Sequence, residues 1–102
     1  MNENWQQINE LIQYPEKGIF SRVIFKSQKL EMTLFCLAGG TEISDHTSTR
    51  EALVSVYEGR GEFILAGEKI EMKAGTLIHF LPKAVHSLKA SDNMAFLLFL
   101  VN

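Results

Sequence analysis

The sequence predicts an all-β domain, a sandwich or barrel of short antiparallel strands, preceded by one short helix. Between residues 19 and 101, apolar and polar side chains alternate over short stretches, which is the pattern of strands with one buried face. Turn residues, mainly glycine, separate these stretches at intervals of about eight to ten residues. No stretch between them has the apolar spacing of a helix, so parallel strands joined by helices are excluded.

Size and composition predict one domain, with an N-terminal segment over residues 1–18 and the β domain over residues 19–102. The chain has 102 residues, 46% of them hydrophobic, and a net charge of -2. Because both signs of charge are scattered along the chain, neither nucleic acid nor an anionic membrane surface is expected as a partner. The N-terminal residues are polar and acidic, and no apolar run is long enough to span a membrane, so we expect a cytoplasmic protein. Cys36 is the single cysteine, which rules out an intramolecular disulfide and a thiolate metal cage.

The N-terminal segment has apolar residues spaced like one face of a short helix. They are Trp5, Ile8, Leu11 and Ile12. Asn2 or Asn4 would cap the start of this helix, and Pro15 and Gly18 would end it. We expect the helix to pack as a lid over an open end of the barrel rather than to hold a ligand.

The first two strands are predicted at residues 19–26 and 30–38, where alternation and strand-forming side chains occur together. Cys36 lies on the same face of the second strand as Leu34. A catalytic thiolate needs a neighbouring base and charged surroundings, and the local sequence supplies neither. We therefore expect Cys36 to be a small apolar residue of the interior.

The later strands are short and regularly spaced. After the stretch that carries His46, they are predicted at residues 52–57, 63–65, 68–73, 76–81 and 85–88, and the last one at residues 94–101. Pro82 is expected to close the strand before it, because proline cannot donate a hydrogen bond to the ladder.

The last predicted strand, Met94 to Val101, is apolar on both faces. A strand buried on one face would alternate, so both faces of this strand are expected to be covered. In a chain of this size a second copy of the protein is one such cover, and we expect a homodimer held mainly by apolar contacts. Changing Phe96 or Phe99 to aspartate is expected to weaken the dimer if the side chain lies in that contact.

Two segments of the sequence resemble the motifs of the cupin superfamily. The first motif, G-x5-H-x-H-x(3,4)-E-x6-G, is matched by Gly40, His46 and Gly59. The second, G-x5-P-x-G-x2-H, is matched at its two ends by Gly75 and His86. The resemblance implies a small single-domain cupin, whose fold is a double-stranded β-helix, or jelly-roll, barrel.

Two of the four metal-ligand positions of the cupin pattern are changed. Ser48 stands where the second histidine is found, and Ala52 stands where the glutamate is found. The complete set of three histidines and a carboxylate holds a divalent metal with open positions for substrate. The resemblance leaves His46 and His86 as ligands for a weakly held divalent metal such as Zn, Fe, Mn or Ni, which is fewer protein ligands than a catalytic zinc has.

Three further candidates lie near these positions. Asp45 and Glu51 each sit one residue from a site position, and neighbouring side chains of a strand leave on opposite faces. A bulge before Glu51 would turn its carboxylate inward, so Glu51 stays open as a ligand. His79 has no partner fixed by spacing, and we expect it at a strand surface or a subunit contact.

These residues predict a small-molecule-binding cupin barrel of unknown ligand, in which His46, Ser48 and His86 orient the ligand inside an apolar cavity. Two alternatives stay open. One is a metal-dependent enzyme of the oxygenase, isomerase or decarboxylase type, whose ligand set is completed by water, by substrate or by Glu51. The other is a structural or partner-binding dimer without chemistry. The fold alone does not choose among the three, because one scaffold carries many activities.

Overall fold

A computed structural model describes residues 4–102 of the chain. The described part contains one short helix followed by nine strands. They are α1 (Ile8–Leu11), β1 (Ile19–Lys26), β2 (Leu30–Leu37), β3 (Glu42–His46), β4 (Glu51–Glu58), β5 (Gly61–Leu65), β6 (Glu68–Met72), β7 (Leu77–Phe80), β8 (His86–Ala90) and β9 (Met94–Val101). The predicted strands agree with these bounds to within a few residues.

The nine strands form two antiparallel sheets. One has five strands in the order β1-β2-β9-β4-β7, and the other has four in the order β3-β8-β5-β6. Buried side chains from both sheets meet in one apolar core, so the sheets lie face to face as a jelly roll. The prediction of an all-β jelly roll with a short N-terminal helix is confirmed.

The turn between β4 and β5 shows why the motif glycine Gly59 is needed. Its φ is 90°, a conformation that L side chains rarely adopt. A Cβ atom built on it would lie 2.2 Å from the carbonyl oxygen of Asn93 and 2.5 Å from the Cα atom of Met94. The glycine therefore lets the turn pack directly against the start of β9.

The last strand, β9, lies in the middle of the five-stranded sheet. It pairs with β2 on one edge and with β4 on the other over most of its length. Its inner face packs in the core between the sheets, as at Phe96, while the first half of its outer face packs under the N-terminal segment, as at Ala95 and Leu97. The chain itself thus supplies much of the cover that the apolar sequence of β9 requires, and a second copy could reach only the outer face.

The N-terminal segment differs from its prediction. The helix α1 is a single turn that begins at Ile8, so Asn4 does not cap it, and Asn2 lies outside the described residues. Gln7 occupies the cap position without a side-chain hydrogen bond, and Ile12 is already extended. The residue preceding a proline avoids the helical region, which helps to keep the segment extended before Pro15.

The packing of this segment also corrects the expected lid. Trp5 precedes the helix and is 59% exposed, so it does not share a buried face with the other apolar residues. Ile8, Leu11 and Ile12 pack on a second buried cluster that includes Cys36 and lies on the outer face of β1, β2 and β9. The segment therefore covers part of the outer face of the five-stranded sheet rather than an open end. No helix in the described part of the chain is long and apolar enough to cross a membrane.

Candidate functional site

A cavity of about 540 Å³ lies between the two sheets. Its walls are four phenylalanine rings and five aliphatic side chains. The rings are those of Phe35, Phe63, Phe80 and Phe96. The aliphatic side chains are those of Ile43, Val54, Leu88, Leu98 and Leu100. The volume and the apolar walls are those of small-molecule sites in proteins.

His46 and His86 meet at the polar part of this cavity. His46 ends β3 and His86 begins β8, and the two residues are direct partners in the antiparallel ladder. Their Nε2 atoms lie 3.0 Å apart. The ring of His86 is stacked on Phe63 and lies with its centroid 4.3 Å from that of Phe80, so His86 is buried while His46 is exposed at the opening.

The Nδ1 contacts of the two rings indicate which ring nitrogen carries the hydrogen. Nδ1 of His46 lies 3.1 Å from the carbonyl oxygen of Ser44, and Nδ1 of His86 lies 3.0 Å from that of Ala84. A carbonyl oxygen only accepts, so each Nδ1–H donates and each neutral ring keeps a lone pair on Nε2. Two lone pairs would then face each other across 3.0 Å. The pair therefore presents two acceptor nitrogens to a ligand donor or to a cation.

Burial sets the charge of the inner ring. It lowers the pKa of His86 below its ordinary value of 6.5, and the neighbouring His46 lowers it further, while the hydrogen bond to Ala84 acts in the opposite direction. His86 is therefore neutral at pH 7 and available to accept a hydrogen bond or bind a cation.

Ser48 and Arg50 complete the polar rim of the cavity. Both line it, and the backbone N–H of Arg50 donates to Oγ of Ser48 at 3.0 Å. Sequence reasoning named Ser48 but missed Arg50. Thr47 and Thr49 line the cavity as well, so this connection between β3 and β4 has no period of two that would have singled out Arg50.

The acidic candidates lie elsewhere. Glu51 stands on the outer face of the five-stranded sheet, where its Oε2 lies 2.5 Å from Nε2 of His79. The sequence leaves Glu51 open as a ligand in case a bulge turns it inward, and the structure instead keeps it on the outer face, with regular alternation along β4 from Glu51 to Val56. His79 is exposed, as expected. Asp45 is also exposed and borders a separate depression beside Glu42 and Glu62.

The donor set does not fit a catalytic metal centre. Two imidazole nitrogens 3.0 Å apart could occupy neighbouring positions around one metal ion. No group of three or more histidine, cysteine, aspartate or glutamate side chains suited to a metal occurs within residues 4–102. Ala52, at the position of the cupin glutamate, is fully buried and carries no donor atom.

Comparison with known protein families shows to which family the chain belongs. The family model of the cupin domain matches residues 33–102. The chain belongs to the cupin family. The resemblance of its motifs is thereby confirmed, although no curated protein matches the sequence.

Solved cupin-like structures agree over nearly the whole chain. A conserved protein of unknown function from Streptococcus pyogenes is 24% identical with a TM-score of 0.88, and the match covers 100% of this chain and 90% of that one. A cupin superfamily protein from Desulfitobacterium hafniense is 17% identical with a TM-score of 0.88, covering 99% of this chain and 93% of that one. At these identities the likeness establishes the fold.

An enzyme is also among the similar structures. A variant of the salicylate 1,2-dioxygenase from Pseudoaminobacter salicylatoxidans, solved in complex with gentisate, is 18% identical with a TM-score of 0.78. The match covers 92% of this cupin but 28% of the dioxygenase chain. The shared fold is thus a little over a quarter of a much longer chain.

Proposed function

We propose that this cupin binds a small molecule in the cavity between its sheets, oriented by His46, Ser48 and His86. The observation that carries the proposal is the combination of an apolar cavity of about 540 Å³ with three side chains that can hydrogen-bond at its rim. Apolar walls supply affinity by removing ligand surface from water, and a few fixed polar groups supply orientation. The buried, neutral ring of His86 is held in place by Phe63 and Phe80.

The donor set favours binding over metal-dependent chemistry. An oxygenase, isomerase or decarboxylase of the cupin type needs a metal held by more ligands than two imidazoles. Glu51, the carboxylate that the sequence left open as a third ligand, is paired with His79 on the outer face. A weakly held divalent ion at His46 and His86 is compatible with this proposal, and a firmly held one is not.

Binding is tested with neutral amphipathic probes followed by methyl NMR. Benzamide, hexanamide and 2-naphthamide at millimolar concentration are expected to shift the methyl signals of Val54 and Leu98, which line the cavity. The signals of Leu53 and Leu77, which are exposed on the outer face, should stay in place. Leu98→Trp fills the cavity and should abolish the shifts, whereas Leu53→Trp is the matched control. Cavity methyl signals that stay unshifted with all three amides and with the carboxylates of the same shape would refute the proposal.

Metal retention separates binding from metal-dependent catalysis. The protein is incubated in turn with excess Zn²⁺, Fe²⁺, Mn²⁺ and Ni²⁺, desalted, and its metal content is measured. We expect far less than one ion per chain, because two imidazoles give few bonds and compete with protons. Stoichiometric retention that is lost in His86→Gln would instead favour the metal-dependent enzyme.

We also propose a homodimer formed through the outer face of the five-stranded sheet. Leu53, Leu77 and Val101 are exposed there, and the half-buried Phe99 lies opposite Leu53 in the ladder. Adjacent exposed apolar side chains favour association, and a two-fold contact would bury the patch on both copies at once. The alternative of a dimer without chemistry uses the same surface.

Sedimentation velocity tests the dimer. Wild type is expected to sediment as a dimer at micromolar concentration in low and high salt alike, because salt screens charges and scarcely affects apolar contacts. Leu77→Asp should shift it to monomer. Val85→Asp, an equally drastic change at an exposed apolar residue preceding β8, is the control. A wild type that is monomeric throughout would overturn the dimer and leave the cavity proposal intact.

A further inference from the structure

The rim of the cavity has an uneven charge. Arg50 is the cavity-lining residue with a permanent charge, and none of the lining residues is acidic. The remaining polar lining groups are the two imidazoles and the hydroxyls of residues 47, 48 and 49. Donors and a positive charge therefore face the cavity, and no carboxylate belongs to its lining.

The guanidinium of Arg50 is held by one nitrogen only. Its Nη1 donates to Oε1 of Glu31 at 3.3 Å and to Oδ1 of Asn102 at 2.7 Å. Within residues 4–102, the hydrogen bonds of this guanidinium all come from Nη1, and none comes from Nε or Nη2. These two atoms form the edge of the guanidinium that pairs with a carboxylate through two parallel hydrogen bonds. Glu31 and Asn102 thus fix the side chain while its binding edge stays uncommitted.

Arg50 lies at the same end of the cavity as the imidazole pair. It precedes Ala52 by two residues, and Ala52 pairs with Phe80 on one side and with Leu100 on the other. Phe80 lies beside the ring of His86. The polar groups therefore lie at one end of the cavity, and the phenylalanine and leucine side chains line the rest of its wall. A ligand with one charged end and an apolar body matches that division.

We propose that the ligand of this cupin is a small carboxylate with an apolar body, whose carboxylate pairs with Nε and Nη2 of Arg50. This inference rests on the proposed binding function and adds the chemical class of the ligand. The apolar body lies against Phe35, Phe96 and Leu98, and the imidazole pair and Ser48 bind its remaining polar groups. The planar fork of the guanidinium matches the planar carboxylate better than a point charge would.

The test compares carboxylates with their neutral amides of the same shape. Benzoate, hexanoate and 2-naphthoate are titrated beside benzamide, hexanamide and 2-naphthamide at about pH 8, above the ordinary pKa of imidazole. At low salt each acid should bind about 10- to 100-fold tighter than its amide, the range expected for hydrogen bonds between charged groups. The difference should shrink as salt is added.

Variants assign the difference to Arg50. Arg50→Gln should remove most of the difference in affinity between each acid and its amide, and Arg50→Lys should restore part of that difference. Arg60→Gln is the matched control, because Arg60 is exposed and pairs with Glu71 away from the cavity. Unfolding midpoints show whether each variant is folded.

The outcomes separate this inference from the function on which it rests. Equal affinity for acid and amide in the wild type, or a preference for acids that survives in Arg50→Gln, overturns the assignment to Arg50 and leaves the cavity as a binding site. Binding of neither member of any pair overturns both. The wild-type comparison decides the ligand class even if Arg50→Gln does not fold.

Discussion

The inner and outer faces of the five-stranded sheet are formed by the same strands but differ in burial. Along β7 the alternation is complete: Leu77 is 76% exposed, Ile78 is 4% exposed, His79 is exposed and Phe80 is buried. The inner residues line the core and the cavity. The outer residues carry the patch proposed for association, beside an area already covered by the N-terminal segment.

The two faces also place histidine side chains in different environments. His86 is buried among phenylalanine rings, and its pKa is lowered by burial. His79 is exposed and pairs with Glu51, so water and a carboxylate accommodate it. The same side chain is thus a buried, neutral hydrogen-bonding group on the inner side of the fold and a hydrogen-bond partner of an exposed carboxylate on the outer side. A histidine can bind a ligand of the cavity only if it lines the cavity, as His46 and His86 do and His79 does not.

The largest expected effect compares two neighbours in β7. Ile78→Ala should lower the free energy of unfolding by about 2–5 kcal/mol, because it removes buried methyl groups and leaves a void. Leu77→Ala, one residue away on the outer face, should change it by less than about 0.5 kcal/mol. Urea unfolding at a concentration where both proteins are monomeric measures the difference. Similar losses for both variants would mean that the two faces are equally buried in solution.

The fold was predictable from the sequence because the turn residues and the alternation of apolar and polar side chains are local signals. Gly59 and Gly75 occur where the chain must adopt positive φ, and the strands between such turns have fixed faces. His46 and His86 were brought together by the motif spacing of the family, and the structure places them on paired strands. Local pattern and family spacing thus located the cavity's main polar pair.

Other features could not be predicted because they depend on register between distant segments. The contact of Glu51 with His79 requires knowing that Leu53 pairs with His79 across β4 and β7. The uncommitted edge of Arg50 depends on Glu31 and Asn102, which are remote in sequence. The single-turn helix depends on packing, because a helix this short is not stable by propensity alone.

The second prediction concerns the pH dependence of stability on the inner side. Because the folded pKa of His86 lies below its ordinary value of 6.5, the unfolded chain takes up this proton first as the pH falls. The folded protein keeps the full stability associated with neutral His86 above pH 6.5, and it loses that stability as the pH falls toward the folded pKa of His86. Wild type should therefore lose more stability than His86→Gln between about pH 7.5 and about pH 5.5.

The control for this pH effect is the outer histidine. His79→Gln should retain the loss caused by His86, because that loss arises from burial and His79 is exposed. Urea unfolding at a series of pH values gives the three curves. If stability falls with pH equally in wild type and His86→Gln, then His86 is as well solvated as a surface histidine. The proposed difference in environment between His86 and His79 would then be wrong.

The smallest expected effect concerns the part of the outer face that the N-terminal segment covers. The hydroxyl of Tyr14 donates to Oε2 of Glu58 at 2.5 Å, which fastens the segment to β4. Burial, followed by the contact with Glu58, raises the pKa of this phenol, so it remains a donor throughout the neutral range. Tyr14→Phe removes the hydrogen bond and should weaken the attachment of the segment by about 1 kcal/mol.

Cys36 reports on that attachment directly. It is fully buried in the cluster on which the segment packs, it is the single cysteine of the chain, and burial raises the pKa of its thiol. A thiol reagent can reach it only when the segment detaches or the domain unfolds, so under native conditions the labelling rate measures local opening. Tyr14→Phe should speed labelling about fivefold, the factor that corresponds to about 1 kcal/mol. Tyr57→Phe, a change at an exposed tyrosine of β4, should leave the rate unchanged. Labelling that follows the global unfolding rate in all three proteins would show that the segment does not open on its own, and the outer face would then be covered there as firmly as the inner face is.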